Sequence, residues 1–304
     1  PGVYQVHIIT SDGTGAYAGR QVKLLVSPGR DKLSDGWHTS VLGQVDSVST
    51  VASDGEQFTF TGMKYNDKRR GDEPPGYFAF TQAVKPIDIA MRLPADTDAS
   101  AGLMMRNRLD DFARRAWVGR FGDEVRCFVR VTQNSWGTQV FRAPAGDARF
   151  LRLIGRDGLA AGYLSADGMH WQQVGATRLK LDDEPRVGLF SAGHAKVAAL
   201  PVRCRWIRPI GPALPMITTG KSRPNARDGT YTAPVELTII APAENATLHY
   251  TLDGSLPTAD SPAYDGPITL AEAGEHPVRA AAFVDGKAAD TISAVYSLGE
   301  AKKK

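Results

Sequence analysis

A series of short apolar runs between Leu33 and Ile210, each closed by an Asp, Gly, Pro or Asn turn, limits what this chain can fold into more than any other feature. Runs such as EQFTFTG, AGLMMRN, EVRCFVRV and RFLRLIGR are too short for helices and alternate with period two. In EVRCFVRV, Val125, Cys127, Val129 and Val131 take one face, while Glu124, Arg126, Phe128 and Arg130 take the other. No long stretch of period 3.6 competes with this pattern. With 31 Gly and 19 Pro in 304 residues, the sequence predicts an all-β chain. At about one domain per ~100–200 residues, the length suggests two or three domains.

Residues 1–27 read as two strands, VYQVHII and GRQVKLLVS, around the turn SDGTG. Two strands bury no core of their own in water. This hairpin therefore resembles the last two strands of an immunoglobulin-like or fibronectin-like domain truncated at Pro1; the alternative is that it docks on the following module. The chain opens without Met or a charged leader, so its natural start is expected to lie upstream. Residues 34–210 are expected to form one sandwich and 230–298 a smaller one. Between them, 211–229 reads as a polar, protease-accessible linker, and 299–304 as a disordered tail. In the smaller unit Leu237, Ile239, Leu248 and Tyr250 read as inward strand positions, and Asp253-Gly254 as a hairpin turn.

The formal charge of +3 is too small to imply nucleic acid as a partner, but its distribution is uneven. Met104 to Arg156 carries eleven Arg and five acids, net +6, whereas Thr230 to Glu300 carries two bases and ten acids, net −8. Such halves either do different work or attract each other. No run of eighteen apolar residues offers a membrane span. Cys127 and Cys204, in the contexts VRCF and VRCR, fit two buried thiols as well as a disulfide, since sequence alone does not bring their Cα atoms together.

The ordered motifs DGW, SDGEQFTFTG, AGLMMR, FLRLIGRDG, YLSADGMHWQQVG and VGLFSAG resemble the laminin-G-like, concanavalin-A-like sandwich modules of secreted bacterial proteins, over about 34–209. Lys64 to Gly76, KYNDKRRGDEPPG, departs from that pattern. From about 215 to 298, PVELTIIAPAENATLHYTLDGSLPTADSPAYDGPITL and VRAAAFVDGKAADTISAVYSL resemble the immunoglobulin-like C-terminal domain of chitobiase and β-hexosaminidase type proteins. The resemblances imply a concanavalin-A-like jelly-roll sandwich followed by an immunoglobulin-like sandwich. They also imply placement outside the cell or at its surface.

A sandwich of this kind can also be a retaining glycosidase, which needs two carboxyls ~5–5.5 Å apart, supplied in laminarinase-type relatives by an E-x-D-x-x-E strand. Up to Ile210 the only glutamates are Glu56, Glu73, Glu124 and Glu184, and none has that neighbourhood. G-x-S-x-G, H-E-x-x-H and Walker-type loops are absent too. The sequence thus predicts no catalytic residue, cofactor or metal. The nearest thing to a cation loop, Asp67, Asp72 and Glu73, is interrupted by Lys68, Arg69 and Arg70 and reads first as a solvated charged loop, with calcium as the open alternative.

Trp37 and Trp171 read as caps of the sandwich edge. Trp117 and Trp136, the latter in the polar turn TQNSWGTQ, have less structural reason to be where they are. Sugar rings stack on aromatics, and acidic sugars add a demand for Arg. The candidate ligand surface is therefore Arg106, Trp117, Arg120, Arg126, Phe128, Arg130, Trp136 and Arg152, on strands taken to be neighbours. The competing reading is that these arginines keep the chain soluble or meet the acidic C-terminal domain. The leading expectation is a non-catalytic accessory region of a secreted bacterial multidomain protein, with glycan and neighbouring domains as partners. The alternative is a purely structural spacer or protein-interaction array; the third, a glycoside hydrolase, lacks its carboxylates.

Overall fold

The computed structural model describes residues 2–11, 17–26, 31–43, 49–62, 76–96, 98–110, 112–133, 139–194, 200–207, 214–225, 228–284 and 286–300, the first two segments by backbone alone. β1 (Gly2–Ser11) and β2 (Tyr17–Val26) form an antiparallel hairpin in register from Gly2↔Val26 to Ser11↔Tyr17. Next come β3 (His38–Leu42), β4 (Thr50–Ser53), β5 (Gln57–Thr61), β6 (Gly76–Gln82), β7 (Ile87–Arg92), β8 (Ala99–Arg106) and β9 (Arg115–Phe121). β10 (Glu124–Arg130), β11 (Gln139–Pro144), β12 (Phe150–Arg156), β13 (Leu159–Ser165), β14 (Trp171–Arg178), β15 (Arg186–His194) and β16 (Val202–Ile207) complete the first module. The second holds β17 (Met216–Thr218), β18 (Tyr231–Thr232), β19 (Val235–Ile240), β20 (Thr247–Thr251), β21 (Ile268–Leu270), β22 (Gly274–Val284) and β23 (Lys287–Gly299). The fold is all-β, and no helix among the described residues is long and apolar enough to cross a membrane.

The first module is a sandwich. One sheet runs β11-β10-β9-β8-β15-β6-β3, and the other contains β14-β13-β12-β7-β16-β5-β4. Between them lies one apolar core to which β8, β9 and β10 send Leu103, Met105, Val118, Val125, Cys127 and Val129, facing Phe58, Met91, Leu151 and Leu153. Burying each large side chain contributes roughly 1.5–3 kcal/mol, and the alternation read from the sequence decides which ones are buried. Two glycines let strands come close: a Cβ on Gly102 would strike the Val118 carbonyl, and one on Gly188 the Ala79 carbonyl. The β12-β13 turn places Asp157 and Gly158 at φ 52° and 71°, the doubly left-handed geometry that favours Asp-Gly.

The stretch expected to be an open linker is instead built into the molecule from Leu214 onward. Leu214, Met216 and Ile217 are buried, and β17 pairs with β19. Its apolar side chains have a face to cover, the outer face of the β12-β13-β14 sheet, and that gain outweighs the cost of ordering a Pro-rich segment. In the second module Leu237, Ile239 and Leu248 are buried and Tyr250 is half-buried. Gly254 takes φ 81° in a turn, from which the chain returns along β20 through Pro262 and Tyr264.

The two modules share a sheet. β23 runs parallel to the edge strand β14, with Trp171↔Ile292 and Gln172↔Ser293 opposite each other, so a continuous run of ten strands, with β18 branching from β23 as the eleventh, crosses from one module to the other. A common apolar cluster joins Ile154, Ala161, Tyr163, Trp171 and Ala176 to Met216, Tyr231, Val278, Ile292 and Tyr296.

Candidate functional site

Strand alternation does send Phe128 and Trp117 to the side of the seven-stranded sheet away from the main core. There Trp117 stacks on Phe128 with centroids 4.2 Å apart and planes at 14°. Phe121 and Phe190 flank it at 5.1 and 5.9 Å, and Phe78 stacks on Phe80 at 5.2 Å. With Leu42 and Met104 these rings form a second apolar cluster. Trp117 is 0% exposed, and its Nε1 is buried without a hydrogen-bond partner.

A row of arginines runs beside this cluster. Arg106 lies directly opposite Arg186 on one side and Arg115 on the other, and Arg115 lies opposite Arg130. Like charges facing across strands oppose pairing unless other groups hold them. Arg106 is held by the chain itself, donating from Nε to the Arg108 carbonyl (2.6 Å) and from Nη2 to the Asp110 carbonyl (2.5 Å). Arg186 Nη1 donates to the Asn107 carbonyl at 2.5 Å, and Arg130 sits 5.6 Å from the Phe112 ring centre. Arg115 and Arg186 escaped the sequence reading because cross-strand register, not local pattern, brings them into the row.

The expected single surface does not assemble. Arg106, Phe128 and Arg130 share the Trp117 face but are buried, not solvent-facing. Arg126 is half-buried and donates from Nε to Glu124 Oε2 at 2.8 Å, which Arg142 Nη1 also reaches at 2.6 Å. Burial pushes the Glu124 carboxyl up, but the hydrogen bonds and charges of Arg126 and Arg142 outweigh it, and its pKa lies below the usual value. Arg120 points to the opposite side of β9 from Trp117, toward the end of the sandwich, and donates to the carbonyls of Gly122 (3.0 Å) and Ala148 (3.4 Å). Arg152 is on the other sheet altogether, because β12 pairs with β7 and β13. Trp136 lies outside the described residues, as does the loop with Asp67, Asp72 and Glu73.

Arg152 belongs to the joint between the modules. It forms a two-pronged pair with Asp88 (2.8 and 2.7 Å) and lies 5.6 Å from the ring of Trp171, which is itself buried. Trp171 thus caps the sandwich face beneath the second module. Tyr163 Oη donates to the Pro215 carbonyl (2.8 Å), and Arg156 Nη2 to the Leu214 carbonyl (2.6 Å). The Gln173 side chain imitates a strand: its Nε2 donates to the Ile217 carbonyl (2.7 Å) and its Oε1 accepts from the Ile217 amide (2.9 Å). Hydrogen bonds from Thr230 lower the pKa of Asp228, and across the same joint the charge of Arg142 on the basic module helps to lower it.

Of the glutamates tested as catalytic candidates, Glu124 is held by two arginines, Glu56 pairs with Arg205 at 2.8 Å, Glu184 is exposed and Glu73 lies outside the described residues. No group of three His, Cys, Asp or Glu side chains is placed to hold a metal ion among the described residues. Cys127 and Cys204 are separate thiols reaching the main core from opposite sheets, and burial pushes both pKa values up to about 12. Trp37 is half-buried between Phe58 (4.4 Å) and Trp206 (5.2 Å).

Comparison with known proteins finds one family match, to the chitobiase/beta-hexosaminidase C-terminal domain, over residues 226–297. The second module is therefore an immunoglobulin-like domain of that type. No curated protein matches the chain. Among solved structures, a functionally unknown protein from Saccharomyces cerevisiae aligns over 56% of this chain and 94% of its own, at 16% identity and a TM-score of 0.41.

Proposed function

We propose that the chain is a non-catalytic accessory region of a secreted, bacterial-type, carbohydrate-active multidomain protein, working as one stiff two-module arm that sets the position of a neighbouring domain. The joint carries this reading. A shared sheet, a shared apolar cluster and the Gln173, Tyr163 and Arg156 bonds to β17 and the residues just before it resist hinge motion between modules. A tethered pair of binding modules on a loose linker would have none of these. The family match of 226–297 supports the accessory role, since the domain is described as the C-terminal part of chitobiase and β-hexosaminidase proteins. The two packed sheets of residues 38–207 support a concanavalin-A-like module before it. The ties on Glu56 and Glu124 support the absence of hydrolytic chemistry, and a place outside the cell or at its surface belongs to the same proposal.

Calorimetry of the whole chain tests the arm. One cooperative transition for residues 34–298 is expected. Gln173→Ala, which strips both backbone partners from buried Ile217, is expected to cost about 2–3 kcal/mol and to separate the transitions of the two modules. Two independent transitions in the unaltered chain would remove the stiff-arm reading. Hydrolysis of a β-glucan that disappears with a single Glu or Asp substitution would remove the non-catalytic one.

A further inference from the structure

Segment 145–149 carries the chain from β11 in one sheet to β12 in the other, at the end of the first sandwich. It is pinned by Ala145 N to the Asp123 carbonyl (2.7 Å) and by Leu93 N to the Arg149 carbonyl (2.8 Å). Below it lies a depression of about 490 Å³ lined by Arg92, Arg120 and Arg149, with Asp147 as the one carboxylate among the described lining residues and Leu93, Pro94, Ala95 and Ala148 as apolar walls. The volume falls within the ~300–1,000 Å³ range of small-molecule sites. The side chains of Arg92, Arg149 and Asp147 are exposed and make no ion pair or hydrogen bond among the described residues. Arg120 is different: it is only 9% exposed, and the Gly122 and Ala148 carbonyls hold its Nε and Nη1, which fixes the guanidinium plane and leaves Nη2 without a hydrogen bond among the described residues.

We propose that this depression binds an acidic saccharide through a carboxylate or sulfate group. Three guanidiniums against one carboxylate give the hollow a surplus of two positive charges, and planar guanidinium forks match carboxylate and sulfate oxygens better than any neutral hydroxyl. Arg120 is the fixed element, since its orientation is set before a ligand arrives, while Arg92 and Arg149 close on the anion from solvent. Among the described residues no aromatic ring lines the hollow, so they offer neither stacking on a neutral sugar nor stacking on a base. Pro94 and Ala95, the more exposed apolar residues of the lining, give the saccharide's C–H face something to lie against. This inference goes beyond the stiff-arm reading and does not depend on it.

Titration calorimetry of the full chain at low ionic strength tests it, with three probes: a disaccharide carrying uronate and sulfate, its neutral unsulfated counterpart, and inorganic sulfate. The acidic disaccharide is expected to bind, the neutral one not, and the affinity to fall as salt is raised. Arg149→Ala and Arg92→Ala, both on exposed side chains that leave the fold intact, are each expected to weaken binding about tenfold. Arg120→Lys keeps the charge but loses the fork and is expected to weaken it as much. No binding of the acidic probe, equal binding of the neutral one, or indifference to both exposed-arginine variants would overturn the proposal. Inorganic sulfate bound as tightly as the disaccharide would overturn the saccharide assignment.

Discussion

The two sheets of the first module turn their outer faces in opposite directions, and the sequence writes both faces in the same way. On β12 the outward positions run Arg152, Ile154, Arg156; on β10 they run Arg126, Phe128, Arg130. Yet the first set lies under the second module and bonds to Asp88 and the Leu214 carbonyl. The second sits beside an aromatic cluster on the far side of the molecule. Alternation says which side of a strand an arginine takes; it does not say whether water, a neighbouring strand or another domain waits there. Both faces turn out to be interior, so a guanidinium on an outward strand position here is part of the packing before it is part of any binding surface.

The sharpest way to break this comparison is at Trp117. As a fully buried ring stacked on Phe128, it is expected to cost about 3–5 kcal/mol on Trp117→Ala, because the surrounding Phe121, Phe190 and Met104 cannot close the hole. A stacking platform open to solvent would lose only about 0.5 kcal/mol or less. Urea denaturation of the two proteins separates these outcomes. A near-neutral result would return this face to the list of ligand surfaces.

On the other face, two arginines on one strand are expected to behave unequally. Arg152→Met strands Asp88, which is 30% exposed and so keeps some water; the expected cost is about 2–3 kcal/mol, at the low end for a broken buried pair. Arg156 spends only Nη2 well, on the Leu214 carbonyl, while its Nε and Nη1 are buried without hydrogen-bond partners, Nε lying 3.9 Å from the exposed Asp157 carboxylate, and burial pulls its pKa down. Arg156→Met removes that desolvation along with the one good bond, so its net effect is expected to stay within about 1 kcal/mol. Equal losses in the two variants, read from the same denaturation curves, would show that the joint does not distinguish a paired arginine from a stranded one.

Much of the fold was legible because strand period and turn chemistry are local. Val125, Cys127 and Val129 point where alternation sends them, and Asp157-Gly158 turns as its residues dictate. What was not legible depends on contacts far apart in sequence. Grouping Arg152 with Arg126 takes strands close in sequence to be neighbours in space, but strand order puts them on different sheets. Leu214 to Thr219 looked like a linker because Pro and Gly surround it; its burial is supplied by Tyr163, Gln173 and Arg156, which lie some fifty residues earlier. Arg92 and Arg149 carried no motif at all, and only the crossover at 145–149 brings them to Arg120.

The mildest test asks whether any charge on the aromatic side behaves as a surface charge. Glu124 is the candidate, since its side chain is 41% exposed although two arginines hold one of its oxygens. Because its folded pKa is depressed, the stability it contributes is fully present above the unfolded carboxylate value of about 4.3 and is lost as pH falls through the folded pKa. At this exposure solvent screens the pairs, so Glu124→Gln is expected to cost less than about 1 kcal/mol at neutral pH. The difference from the unaltered protein should shrink to nothing in acid, and it should also narrow at high salt. Denaturation curves of both proteins at neutral and acid pH, each at low and high salt, measure it. A loss that persists unchanged in acid would mean that Glu124 acts through packing with Arg126 and Arg142 rather than through its charge, and that even the rim of this face is interior.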